Sequence, residues 1–87
     1  MNDLSDPWEY DGRYYLVTEF SDVSRRDGLG LELEDVAPTP GRGNVLEAFR
    51  DDTAGTITIA AFTDQPLPLA LVHRFVTEAA RELAPDA

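Results

Sequence analysis

Apolar and polar side chains alternate most strictly from Leu29 to Glu34, where Leu29, Leu31 and Leu33 are separated by Gly30, Glu32 and Glu34. A period of two sends one set inward and the other to water, which predicts a strand with one buried face. Upstream, Arg13 to Phe20 (RYYLVTEF) is rich in aromatic and β-branched residues and predicts another strand. Tyr14, Leu16, Thr18 and Phe20 share one of its faces, and Tyr15, Val17 and Glu19 share the other. Its expected inner face is the Tyr14–Phe20 set, which leaves Glu19 outside with Glu32 and Glu34. Between the two strands, Ser21 to Gly28 is a polar connection ending in the turn dipeptide Asp27-Gly28.

Pro38, Pro40, Gly41 and Gly43 end the second strand, because proline cannot donate to a ladder. Asn44–Asp51 and Thr56–Phe62 then predict a hairpin across Asp52-Thr53-Ala54-Gly55, a sequence suited to a type I turn with a left-handed glycine at Gly55. This register sets Phe49 opposite Ile59, with Val45, Ile57 and Ala61 on the same face. The last element is a helix over roughly Leu69 to Leu83. Leu71, Val72, Phe75, Val76, Ala79 and Leu83 form its apolar stripe, while His73, Arg74, Thr77, Glu78, Arg81 and Glu82 lie on the other side. Pro68 is tolerated at its start and Pro85 stops it. The expected fold is α+β: a four-stranded antiparallel meander, residues 13–87, packed on one C-terminal helix. Residues 1–12 are expected as a loosely attached arm whose Trp8 and Tyr10 can dock on the body.

One amphipathic helix covers one face of a sheet, yet the hairpin is apolar on both. Its second face carries Leu46, Ala48, Ala60 and Phe62. Three coverings are open: the N-terminal arm, a second copy of the chain, or a different partner. Glu47 is the converse anomaly, a carboxylate on the Val45/Phe49 face that is expected near the sheet margin.

Charge narrows the partners. Seventeen acidic residues against seven basic ones give the 87-residue chain a net charge of −10. The first 35 residues hold ten of the acids and only Arg13, Arg25 and Arg26. Such a field repels nucleic acid and anionic membranes and speeds encounters with basic proteins, although acidic excess also serves plain solubility. Arg25-Arg26 is the only paired cation, flanked by Asp22 and Asp27, so no direct nucleic-acid binding is expected. The longest apolar run, Leu67 to Val72, is far too short to span a bilayer. With no cysteine and no apolar leader before Asp11, the expected location is the cytoplasm.

Candidate chemistry is sparse. His73, the one histidine, lies on the polar face of the helix, where a solvated role outweighs a catalytic one. Ser5, Ser21 and Ser24 lack the strained strand-to-helix setting of a hydrolase serine. Glu32, Glu34 and Asp35, and separately Asp51 and Asp52, lack the spacing of a calcium loop. Gly28-Leu29-Gly30 and Gly41-Arg42-Gly43 lack that of a phosphate loop. No catalytic residue, metal site or cofactor is therefore expected.

From Gly28 to Pro85, the segments GLGLELEDV, GNVLEAFRDDTAGTITIAAF and PLPLALVHRFVTEAARELAP resemble small actinobacterial proteins grouped with the immunity proteins of bacterial polymorphic-toxin systems. The resemblance implies a cytoplasmic inhibitor that binds a cognate toxin, often a basic nuclease. The expected function is a non-enzymatic acidic interaction module that docks a basic protein through Glu19, Glu32 and Glu34. The alternative is a homodimer closed through Leu46, Ala48, Ala60 and Phe62.

Overall fold

The computed structural model describes residues 6–21 and 28–84. Five strands form one antiparallel sheet in chain order: β1 (Trp8–Tyr10), β2 (Arg13–Ser21), β3 (Gly28–Ala37), β4 (Gly43–Asp51) and β5 (Thr56–Ala61). One helix among the described residues, α1 (Leu69–Glu82), follows them. The α+β meander matches the expected architecture, with one strand more.

The extra strand is β1, so residues 8–12 belong to the sheet and are no loose arm. Asp11 and Gly12 both take positive φ, 53° and 79°, which is a two-residue type I′ turn. That turn sets Tyr10 opposite Arg13 and Trp8 opposite Tyr15. The Gly12 N–H donates to Glu9 Oε2 at 2.9 Å. Trp8 is buried in the core. Residues 1–5 of the expected arm lie outside the described residues.

The helix covers the face that carries Tyr15 and Val17 from β2, Leu31 and Leu33 from β3, and Leu46 and Ala48 from β4. Leu71, Phe75, Ala79 and Leu83 close the core from above. This reverses the expected inner face of β2. Apolar residues stand on both sides of RYYLVTEF, so the strand's own pattern does not decide its facing; pairing with the leucines of β3 does.

Two bulges adjust the pleat. Tyr14 pairs with Ala37 and Tyr15 with Asp35, leaving Val36 unpaired in β3. Leu33 pairs with Leu46 and Glu34 with Asn44, leaving Val45 unpaired in β4. An inserted residue lets two neighbours point the same way, and both Val45 and Leu46 are buried. The β4–β5 register also differs by one from expectation: Phe49 faces Thr58, and Ile59 faces Ala48. Gly55 does take the left-handed φ of 72°. The loop, however, closes with Asp51 directly opposite Thr56, and a one-residue slip exchanges every side chain between faces.

On the second face, Phe20, Gly30 and Phe49 stand in one row across β2, β3 and β4. The two rings stack at 6.4 Å between centroids with planes 21° apart. A Cβ at Gly30 would strike the Phe20 ring, and one at Gly28 would strike Phe49 and the Arg50 carbonyl. The Gly-Leu-Gly of β3 is thus the floor on which these rings lie.

Two arginine contacts seat the helix on the sheet. Arg50 on β4 donates from Nη1 to the Leu83 carbonyl at 3.1 Å, satisfying an acceptor at the helix C-terminus. Arg74 stacks on Trp8 with its guanidinium carbon 4.0 Å from the ring centroid, so it holds the helix to the β1 side of the sheet. No helix among the described residues is long and apolar enough to cross a membrane.

The burial pattern splits the expected apolar stripe of α1. Phe75 is fully buried whereas Val76 is 41% exposed. Phe75→Ala should therefore cost about 3–5 kcal/mol by emptying the core, while Val76→Ala should stay within about 0.5 kcal/mol. Urea midpoints of the two variants check this; equal losses would contradict the placement of the helix.

Candidate functional site

Three surfaces depart from a plain solvated globule. The first is the helix-free face of the sheet. Glu9 from β1, Tyr14, Leu16, Thr18 and Phe20 from β2, Glu32 and Glu34 from β3, and Asn44, Glu47 and Phe49 from β4 share it by register. Glu32 stands directly opposite Glu47 across the β3–β4 ladder. Glu34 is exposed one pleat further on, while Glu32 and Glu47 are half-buried. Like charges in directly opposed positions of an antiparallel pair are destabilising. Three glutamates thus stand on neighbouring strands, one row from a stacked aromatic pair.

This differs in one member from the expected row. Glu32 and Glu34 share the face, but Glu19 pairs with Leu31 and lies on the helix side, where it is exposed. Its place is taken by Glu47, which sits inside the sheet face and away from the margin. The exchange follows from the facing of β2 and from the register of β4. Arg25 and Arg26 lie outside the described residues.

The second surface is β5. Leu46 and Ala48, expected to lie open for self-association, are buried beneath α1. Ala60 and Phe62, expected with them, are exposed. The N-terminal strand cannot shield the hairpin, since β1 occupies the opposite edge of the sheet. Every residue of β5 is exposed, and Ile57, Ile59 and Phe62 are among the large apolar side chains that reach water.

The third is a buried charge cluster at the helix N-terminal end. The alternation of Leu29, Leu31 and Leu33 continues inward to Asp35, whose side chain is fully enclosed. Arg13 Nε donates to Asp35 Oδ2 at 2.8 Å and Arg42 Nε donates to the same oxygen at 2.6 Å. Arg13 Nη2 also donates to the Pro38 and Pro40 carbonyls at 3.2 and 3.5 Å. Arg42 Nη2 donates to the Tyr15 hydroxyl at 3.1 Å. Gly41 lies so close to the Asp35 backbone that no Cβ fits. The cluster thus fastens the 38–42 loop to β2 and β3.

A cleft of about 500 Å³ opens beside it, lined by Tyr10, Arg13, Tyr15, Arg42, Gln65 and Pro68 among others. Much of the donor capacity of both arginines is directed at the protein's own acceptors, so the cluster reads first as a loop anchor. Sequence reasoning missed it. The inward parity of Asp35 was the available signal; the distant arginines that neutralise it were not visible from spacing.

Burial pushes the Asp35 carboxyl up, but the hydrogen bonds and charges of Arg13 and Arg42 outweigh it and hold the group below its ordinary value. Arg42 is raised in turn, chiefly by its hydrogen bond to Asp35. His73 is exposed on the outer side of α1. No group of three or more potential metal ligands occurs among the described residues. The chain matches no family model and no curated protein, and its fold matches no solved structure.

Since the folded-state pKa of Asp35 lies below the unfolded one, about 3.9, its contribution is complete above that value and is lost as the pH falls through the folded value. Asp35→Asn should cost about 3 kcal/mol at neutral pH, toward the lower end for a broken buried pair because both arginines are partly exposed. It should also flatten the acid limb of stability. Urea midpoints between neutral pH and pH 2 for both proteins check this; an unchanged acid limb in the variant would contradict it.

Proposed function

We propose that this chain is a non-enzymatic protein-interaction module that docks a basic partner on the helix-free face of its sheet. An inhibitor of the immunity type, acting in the cytoplasm on a basic toxin, is the specific form of this reading. The observation that carries it is the convergence of Glu32, Glu34 and Glu47 on adjacent strands. A guanidinium or ammonium placed beside Glu32 and Glu34 would be attracted by both carboxylates.

The surroundings support the same chemistry. The Phe20–Phe49 pair lies one row away, and Tyr14 is 45% exposed on the same face. Aromatic rings beside carboxylates suit arginine, whose planar head can pair with an acid while its flat face stacks on a ring. A rigid sheet also presents these groups without ordering a loop, which keeps the entropy cost of binding low. The net charge of −10 steers a basic protein toward the surface before contact.

A hexa-arginine peptide titrated into isotope-labelled protein tests the site. Amide shifts should concentrate on residues 16–18, 32–34 and 44–49, and should shrink as salt is raised, because exposed charges are screened within about 10 Å at 0.1 M. Glu32→Lys together with Glu47→Lys should abolish the concentrated response. Shifts spread evenly over all carboxylates, including those of α1, would defeat the assignment.

A further inference from the structure

The two edges of the sheet are built differently. β1 is three residues long, with Pro7 before it, Glu9 within it and Asp11 after it. A short strand, proline and charge are the standard defences against edge-to-edge pairing. β5 has none of them. No charged residue and no proline occurs between Asp52 and Asp64, in a chain of which 28% is charged. The described backbone of β5 is regular and bulge-free along its pairing with β4.

Phe62 N–H donates to the Val45 carbonyl at 2.9 Å, and backbone groups alternate in direction along a strand. The amides and carbonyls of Ile57, Ile59 and Ala61 therefore point out of the open edge. Their side chains all project on the helix side, since Ile59 pairs with Ala48 and Ala61 with Leu46. Ile57 and Ile59 are 40% and 45% exposed there. The flank of α1 that overlooks them is apolar as well. Arg74 reaches the β1 side, and Val76, about 200° further round the helix, is turned toward β5. Val76 and the two isoleucines are thus all exposed on the helix side, beside a strand edge that pairs with no other strand among the described residues.

We infer that β5 is the contact with a second copy of this chain, the two strands pairing antiparallel about a two-fold axis through Ile59. Three observations select a second copy over another occupant. First, the strand is self-complementary about that centre. Ile59 meets the partner's Ile59, Ile57 meets the partner's Ala61, and all six of these residues offer outward backbone groups and same-face apolar side chains. Second, the strip is neutral, so it carries nothing to select a basic protein. It is instead a place where two chains of net charge −10 can touch without facing strand carboxylates. Third, the defended β1 edge disfavours β5 pairing onto β1 of the next molecule, so assembly closes at two instead of growing. The pairing would join two five-stranded sheets into one and set the exposed isoleucines of the two copies side by side.

This contact is independent of the acidic face, and salt separates them. Screening should tighten an association of two anionic chains and weaken that of an anionic chain with a cationic one. Sedimentation equilibrium and light scattering on the whole chain, from low to high micromolar, should give a monomer–dimer equilibrium that strengthens with added salt. Ile59→Lys should weaken it by about tenfold or more. Circular dichroism checks the fold of that variant; should it fail to fold, Ile57→Lys and a cross-link readout replace it. The chain has no cysteine, so Ile59→Cys with a short bis-maleimide should yield a covalent dimer, whereas Thr18→Cys on the other face should not. A strict monomer at high micromolar concentration, a dimer indifferent to Ile59→Lys, or growth beyond the dimer would each overturn the inference.

Discussion

A helix of fourteen residues is about 21 Å long and roughly 10 Å across, whereas five strands spaced about 4.8 Å apart make a sheet close to 20 Å wide. The cover is narrower than what it must cover. Everything distinctive about this molecule follows from where the helix is placed on that width. Arg74 over Trp8 and Arg50 on the Leu83 carbonyl hold it across β1 to β4, where Leu31, Leu33, Val45 and Ala48 lie fully enclosed. β5 is left outside. The apolar side chains that reach water there are the consequence of a lateral choice, made once, in the seating of α1.

Much of this was legible from alternation and periodicity. The leucines of β3 and the stripe of α1 name each other as partners, and the left-handed residue of the last hairpin announces itself as Gly55. What remained hidden was facing and register. β2 carries Tyr15 and Val17 on one side and Leu16 and Phe20 on the other, so both sides are apolar enough to enter a core. The β4–β5 hairpin accepts two loop closures that share the same glycine, and they differ by one residue. That single step decides whether Ile57 and Ile59 or Thr58 and Ala60 share the helix side with Leu46 and Ala48. The candidate acidic row inherited both uncertainties: Glu32 and Glu34 stayed on one face, Glu19 left it and Glu47 joined. The strand at the N-terminus was signalled by Asp11-Gly12, a strong hairpin dipeptide, but its three residues were too few for a periodic pattern.

The Asp35 cluster illustrates how a polar group becomes structural. A carboxylate at an inward position of a strand would be intolerable alone, and here two guanidiniums from sequence-distant segments meet one of its oxygens. Because Arg42 belongs to the loop between β3 and β4, and Arg13 to the turn side of β2, the same contact that neutralises Asp35 also fastens that loop to the sheet. Charge neutralisation and loop placement are thus one interaction.

The order of strands in space is also their order along the chain, each pairing with the one before it. Such a topology needs only short-range closures to build the sheet, and it favours rapid zippering from one hairpin to the next. The helix comes after all five strands. During synthesis the inner face of the sheet, with its leucines and Trp8, must therefore wait uncovered until the segment beyond Pro68 has left the ribosome. A nascent chain of this kind is at its stickiest just before its final element docks.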